Sequence, residues 1–465
     1  MSLTAVAMVL AAAGVALVAV ATWASFRHED RIQALVEDAL AQGERPASLY
    51  PVVHTEACMG SGACVAACPE HVLARAAGVT HVVEPGSCVG HGRCMAACPV
   101  DAIALVFGTA RRGVDLPLLG PGYESNREGV FVVGELGGMG LIRNALRQGL
   151  AMGDAVPRAL ARGHAAPAKP GAADVAIVGA GPAGIATALA CAAAGLSYVL
   201  LEQDTVGGSV AHYPRRKVVL TEPIELPLVG RVGKREMLKE ELIAEFERIL
   251  LVAGIEPREG LRVTGLCGGL GAFSVEAQDE VGQPHRIEAR AAVLAIGRRG
   301  TPRRLEVEGE EQPHVVYRLV DPEQYRGRRV LCVGGGDSAV EAAVALAAVE
   351  GATVHLSYRG PELSRAKRKN RLAAAEAADA GGLALHLETE VLAVRPGAVA
   401  LRPAGGAPYV LEVDDVIVSI GGILPTPFLE SIGVEVETKR GEVAFAPRHG
   451  PFAGGRGDAA PESSA

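Results

Sequence analysis

Six of the nine cysteines lie between Cys58 and Cys98, in two groups of identical spacing. The first reads Cys58-Met-Gly-Ser61-Gly-Ala-Cys64-Val-Ala-Ala-Cys68-Pro69, the second Cys88-Val-Gly-His91-Gly-Arg-Cys94-Met-Ala-Ala-Cys98-Pro99. Closely spaced thiolates can wrap an iron–sulfur cluster, and a proline ends each ligating turn. A secreted disulfide framework does not usually cluster its cysteines this way. Two other readings stand beside it: a zinc site, or a decayed module without metal. Decay would strike at random, whereas here six cysteines remain in matched positions. The other cysteines are isolated. Cys191 and Cys332 fall on a predicted helix and strand and read as core residues.

The duplicated run resembles the bacterial two-cluster ferredoxin, whose pattern is C-x2-C-x2-C-x3-C-P. Ser61 and His91 stand where that pattern has its second cysteine. The resemblance implies one cluster on Cys58, Cys64 and Cys98 and another on Cys88, Cys94 and Cys68, because the fourth cysteine of each run crosses over. Each set has three thiolates, so each cluster is either a three-iron cluster or a four-iron cluster with an unusual fourth ligand. His91 is a candidate through a ring nitrogen, and Ser61 is a poorer one. A non-thiolate ligand tends to raise the potential, as two histidines do in Rieske centres.

Two glycine turns carry a different chemistry. In Asp174-Val-Ala-Ile-Val-Gly179-Ala-Gly181-Pro-Ala-Gly184, an apolar strand meets a G-x-G-x-x-G turn and an alanine-rich helix. Such glycines let a pyrophosphate approach a helix N-terminus. The next strand, 198–201, ends at Glu202, where a carboxylate would bond a ribose hydroxyl. A second turn, Gly334-Gly-Gly336-Asp337-Ser338-Ala339, has alanine at the third position, which the fingerprint allows. Its second strand, 353–356, ends in Ser357-Tyr358-Arg359, with Arg365 and Lys367 following. Bases there attract a 2′-phosphate, which favours NADPH over NADH. The alternative for 365–371 is a solvated basic face.

An acid after the first turn and bases after the second resemble the thioredoxin-reductase-like flavoproteins, over roughly residues 173 to 435. Gly334-Gly-Gly-Asp-Ser-Ala-Val-Glu341, Val293-Leu-Ala-Ile-Gly297 and Asp415-Val-Ile-Val-Ser-Ile-Gly421 carry the likeness. It implies FAD at the first turn (Gly179, Gly181, Gly184, Glu202, Gly208 and Gly297) and NADPH at the second (Gly334, Gly336, Ser338, Ala339, Arg359 and Arg365). It also implies interdomain rotation and, in many members, a homodimer. The family's C-x2-C pair is absent: the corresponding stretch, His314 to Pro322, has no cysteine. The chain is therefore more similar to the ferredoxin–NADP reductases of this type, which also lack the pair. In the family the FAD site is closed by a C-terminal strand, a Gly-Asp pair and a helix. Here that piece resembles Glu128-Gly-Val-Phe-Val-Val-Gly134-Glu135, continuing to Gln148, upstream of the first turn. A circular permutation would explain it, with a helix starting near Met139 at the flavin and the cluster module fixed beside it. Tyr213, Pro214 and Thr221 are weaker candidates for the flavin's neighbourhood.

These sites need an α/β scaffold. Two Rossmann-like dinucleotide-binding domains are expected, with a small α+β dicluster ferredoxin domain and an N-terminal transmembrane helix. The chain has 465 residues, enough for several folding units. Its net charge of −8 gives no reason to expect nucleic acid. Leu3 to Phe26 has no charged residue, and a spanning helix needs about 20 residues. Trp23 suits an interface, and Arg27 and Arg31 after the span place the body in the cytoplasm under an inner membrane. A cleaved signal peptide would need the basic n-region that is missing. The expected order is anchor 1–27, juxtamembrane helix 28–47, cluster domain 48–112, permuted segment 113–158, linker 159–172, FAD domain 173–302, NAD(P)H domain 303–412, return to the FAD domain 413–447, and a disordered tail 448–465. The implied chemistry is hydride transfer between NADPH and FAD, and single electrons between FAD and two Fe–S clusters, serving an unidentified redox protein or membrane acceptor. A disulfide or small-molecule reductase and a non-enzymatic membrane redox sensor are the rival readings.

Overall fold

The computed structural model describes residues 3–42, 49–109, 113–138, 140–162, 166–220, 223–234, 236–298 and 302–445. The chain divides into two compact units. One takes residues 1–114 and 439–465, the other 115–438. Met139, Thr221 and the tail 448–465 lie outside the described residues.

The first unit opens with one helix, Leu3–Gln42, which runs through the expected boundary between anchor and juxtamembrane helix. The run contains no proline, and the segments expected as separate join in one helix over the described part, 3–42. Among the described residues no helix is long and apolar enough to cross a membrane. The side chains of 3–13, half of the expected span, lie outside them. The cysteine module is built on antiparallel strands Leu49–Val53 and Ile103–Phe107. Strand Glu442–Phe445 adds to the free edge of Ile103–Phe107. Residues 439–445 thus belong to this unit, not to a return into the FAD domain, because their backbone groups are satisfied on this edge.

The second unit holds a mixed sheet, in which Arg262–Cys267, Phe273–Gln278 and Pro284–Leu294 pair antiparallel and the other strands parallel, and a wholly parallel one. In the first, strands run in the order Arg262–Cys267, Phe273–Gln278, Pro284–Leu294, Ala173–Val178, Tyr198–Leu201. Strand Val130–Val132 joins the sheet through Pro284–Leu294, in parallel, with Val130 opposite Ala292 and Val132 opposite Leu294. Its residues face both layers. Phe131 and Val133 enter one buried cluster with Met152 and Ile185; Val130 and Val132 enter the other with Phe273 and Leu294. A strand buried on both faces is a continuous apolar run, and Val130-Phe131-Val132-Val133 is one. Helix Ile142–Leu160 packs on helix Pro182–Ala193 at very short range. A Cβ on Gly149 would lie 2.3 Å from the Ala183 carbonyl oxygen, and one on Gly153 would lie 3.2 Å from that of Ala190.

The second sheet has the order Val315–Val316, Asp415–Val418, Arg329–Val333, Thr353–Tyr358, Leu383–Leu387. Asp415–Val418 pairs with Arg329–Val333, Val418 opposite Val333. Residues 413–418 therefore complete the NAD(P)H-type domain instead of returning to the FAD domain, a correction to the expected boundary. The strand's apolar residues are buried on both faces, and only the centre of a sheet provides that. The chain crosses back just after it, and helix Thr426–Ser431 places Leu429 in the first domain's core.

Candidate functional site: a dinucleotide cavity, a basic loop and a cysteine module

In the cysteine module, short helices Ala63–Ala67 and Arg93–Ala96 carry Cys64 and Cys94 in their first turns, both buried. Burial pushes the Cys94 thiol up to about 12, and the nearby sulfurs of Cys88, Cys68 and Cys64 add to the shift. Cys94 thus lies near sulfurs of both expected sets, Cys88 and Cys68 of its own and Cys64 of the other. Polar groups meet the sulfurs of Cys58, Cys64, Cys88 and Cys98. The Thr80 amide lies 3.4 Å from Cys58 Sγ, the Gly90 amide 3.4 Å from Cys88 Sγ and the Ala102 amide 3.2 Å from Cys98 Sγ. Thr80 Oγ1 is 3.4 Å from Cys64 Sγ. Burial works against ionisation of Cys58, but the Gly60 and Thr80 amides and the Thr80 hydroxyl outweigh it and hold the thiol below its usual value. Such donors favour thiolate, the form that binds metal. They are also a recognised lever on cluster potentials. Among the described residues no three His, Cys, Asp or Glu side chains converge on a single metal ion. Thiolates of a cluster bind separate irons, so such convergence is not required of them.

The first glycine turn opens a cavity of about 420 Å³. Gly179, Gly181, Glu202, Gly208 and Gly297 line it, and so do Gly134 and Glu135 from the upstream segment. Gly184 sits behind, where a Cβ would lie 1.8 Å from the Gly179 carbonyl oxygen, so helix and turn can close only on glycine. The turn's own shape is fixed by Glu202. Its Oε2 accepts the Ala180 amide at 2.7 Å and its Oε1 the Asp204 amide at 3.0 Å. Burial raises the Glu202 carboxyl, although the amides of Ala180, Asp204 and Gln203 pull the other way. A carboxylate has about four lone-pair sites, so acceptor capacity is left for a sugar hydroxyl. On the opposite wall Gln148 Oε1 accepts the Gly134 amide at 2.7 Å. Gly134 itself is pressed on the first helix, its missing Cβ 3.1 Å from that of Ala183.

Tyr213 lines the cavity as expected, whereas Pro214 is not among its lining residues. Sequence reasoning missed Arg318 and the stretch Ile423, Leu424, Pro425 and Phe428, which also line it. The Pro425-Thr426-Pro427 punctuation after Gly421 is the signal that marks the latter as a turn into a helix.

The second turn differs. A Cβ on Gly334 would lie 2.3 Å from the Ser419 carbonyl oxygen, and its φ of +141° suits glycine. Ala339 is fully buried and Ser338 is exposed at the helix start. The Tyr358 ring lies between two glycines, within 2.6 Å of the Cβ positions that Gly335 and Gly360 lack. It thereby sets where the basic loop leaves the strand. Arg359 and Arg365 are exposed, and neither has an acidic partner among the described residues. Asp337 Oδ1 holds the loop by accepting the Lys367 amide at 2.8 Å and Asn370 Nδ2 at 2.6 Å. The two domains are joined by Arg215 to Asp321 at 2.9 Å and Lys217 to Glu341 at 3.2 Å.

Two dinucleotide-binding domains in one compact unit, with a cysteine module on the same chain, define a pyridine-nucleotide oxidoreductase class with a ferredoxin-type domain. The family description pyridine nucleotide-disulphide oxidoreductase matches residues 176–447, more than half of the chain, and the description 4Fe-4S dicluster domain matches residues 50–99. The chain belongs to the pyridine nucleotide-disulphide oxidoreductase family and is an FAD- and NAD(P)H-dependent enzyme of it. It is 30% identical over 275 residues to the ferredoxin–NADP reductase of Ignicoccus hospitalis, covering 57% of this chain and 83% of that protein. It is 32% identical over 248 residues to the ferredoxin–NADP reductase of Acidiphilium cryptum, covering 52% and 67%. In fold it is similar to the bacillithiol disulfide reductase Bdr of Bacillus cereus. That likeness has 24% identity and a TM-score of 0.50 and covers 57% of this chain and 82% of the other.

Proposed function

We propose that the chain passes electrons between NADPH, an FAD in the Gly179 cavity and two Fe–S clusters, serving a redox protein or a membrane acceptor. The observation that carries this is the opposite character of the two turns: a buried acid at Gly179, and beside Gly334 exposed arginines with no acidic partner among the described residues. In this reading the turn amides and the N-terminus of helix Pro182–Ala193 bind the FAD pyrophosphate. Glu202 takes a ribose hydroxyl while holding the turn. Arg359 and Arg365 grip the NADPH 2′-phosphate, a charge-assisted contact that NADH cannot make. Gly134, Glu135 and the start of helix Ile142–Leu160 close the flavin side and shield it from water. Cys58, Cys64 and Cys98 would hold one cluster, and Cys88, Cys94 and Cys68 the other. Bound flavin supplies the conversion between two-electron and one-electron chemistry. Neither the loop nor the cavity supplies a cysteine pair, which speaks against a dithiol route.

The upstream position of the strand Val130–Val132 and helix Ile142–Leu160 is read here as a circular permutation of the FAD domain. Support comes from the parallel pairing with Pro284–Leu294 and from the shared cavity wall. The N-terminal helix is read as an inner-membrane tether with the body in the cytoplasm. Val15, Leu17, Val18, Val20, Trp23 and Phe26 are large, apolar and exposed, which suits a lipid environment.

The test is anaerobic addition of NADPH to the full chain carrying flavin and clusters, followed by absorbance and EPR. Flavin bleaching with parallel cluster reduction is expected. Bleaching with oxidised clusters would end the relay reading; no bleaching at all would favour a sensor. Alkaline carbonate extraction of native membranes tests the tether, which is wrong if the chain leaves with the wash.

A further inference from the structure

The two halves of the cysteine module match in spacing and differ in surroundings. In the first half Ser61 is exposed, and its Oγ faces the Ala63 amide at 3.5 Å. A Cβ on the adjoining Gly62 would meet nothing within 4 Å. In the second half His91 is partly buried and its Nε2 is sealed from solvent. Close glycine packing occurs in both halves, since a Cβ on Gly60 would lie 2.0 Å from the Gly78 carbonyl oxygen, but the glycines on either side of His91 meet the sheet. A Cβ on Gly90 would lie 3.1 Å from Leu49, and one on Gly92 would lie 3.5 Å from Leu105. The Gly90 amide meets Cys88 Sγ, so His91 sits in the loop that wraps this thiol.

We infer that the module holds two unlike clusters: His91 Nε2 is the fourth ligand where Cys88, Cys94 and Cys68 supply three, and the cluster on Cys58, Cys64 and Cys98 has a labile iron without a protein ligand. The inference rests on the reading that these cysteines hold clusters. A ring nitrogen closed off from water meets no solvent competition for iron, and neutral imidazole is a common metal ligand. A serine hydroxyl ligates well only after losing its proton, and an exposed one stays hydrated. The labile iron leaves on mild oxidation: ferricyanide takes one electron from the cluster, one ferrous ion is released, and a three-iron cluster remains.

The full chain is reconstituted with ⁵⁷Fe, titrated with ferricyanide without oxygen, and followed by Mössbauer spectroscopy, EPR and pulsed EPR of the reduced protein. The wild type is expected to lose a single iron, to gain one three-iron signal and to show nitrogen coupling from the other cluster. Ser61→Cys abolishes the loss. His91→Ala removes the nitrogen coupling and adds a second loss, and His91→Cys suppresses that second loss while keeping the fold. Equal loss from both clusters, no loss, or nitrogen coupling that survives His91→Ala would each overturn the inference alone. A chain that takes up no iron overturns the cluster reading as well.

Discussion

The two dinucleotide-binding domains start from the same strand–turn–helix pattern and solve opposite problems. At Gly179 the helix closes so tightly on the turn that only hydrogen fits at position 184. At Gly334 the same position is Ala339, whose methyl is accommodated and fully buried. The first turn is held by a buried carboxylate whose oxygens are largely spent on backbone amides. The second is backed by a tyrosine ring and ends in arginines that no acidic side chain among the described residues neutralises. The contrast suits a resident cofactor in the first domain and an exchanging one in the second. A resident cofactor gains from a rigid enclosed cavity, whereas an exchanging one needs charges accessible from solvent.

Gly184→Val should break this comparison most severely. Its Cβ would overlap the Gly179 carbonyl, so the helix must move. Overpacking of this kind costs about 1–3 kcal/mol or more, and the protein should be purified without flavin absorbance. Ala339→Gly, the matched change in the second domain, should leave flavin content unchanged and lower the melting temperature slightly. Equal flavin content in the two variants would refute the difference in closure.

Glu202→Ala comes next. It strips acceptors from the Ala180 and Asp204 amides in a buried site, a loss of about 1–3 kcal/mol. FAD should dissociate about 10- to 100-fold more readily, measured by flavin fluorescence on dilution. Comparable in size but opposite in target, Arg359→Ala with Arg365→Ala should raise the KM for NADPH about 10- to 100-fold, the equivalent of about 1.5–3 kcal/mol for charge-assisted bonds. The KM for NADH and the flavin content should not change. A parallel rise with NADH would show that the arginines act on the loop and not on a 2′-phosphate.

Much of this contrast was legible in the chain. The glycines, Glu202 and the arginines are local in sequence, and each sits within a short reach of the turn it serves. The upstream segment was legible too, through its resemblance to the strand and helix that close the FAD site in the family, and Val130-Phe131-Val132-Val133 is buried on both faces. The errors lie where distant pairing decides. Asp415–Val418 has the same apolar pattern as a flavin-domain strand, and only its register with Arg329–Val333 assigns it to the second domain. Likewise nothing local in Glu442–Phe445 announces the edge of Ile103–Phe107 as its partner. Arg318 was missed because no pattern marks a single side chain that reaches a cavity wall from another domain.

The smallest effect distinguishes the domains by the sign of their pH dependence. Asp414, in the second domain, is held down to about 2 by the Arg329 guanidinium and amide. Its contribution is present above the unfolded value of about 3.9 and is lost as the pH falls toward 2. The carboxyl is one-third exposed, so screening keeps the effect below about 1 kcal/mol. Glu202 is raised by burial. In the protein without flavin its contribution is fully present below about 4.3 and is lost as the pH rises through the elevated folded value. Denaturant melts of the flavin-free protein against pH should therefore show two opposed slopes. Asp414→Asn should flatten the acid limb, most visibly at low salt, and Glu202→Gln should flatten the limb above it. If both substitutions flattened the same limb, the two carboxylates would not differ in environment as the two turns require.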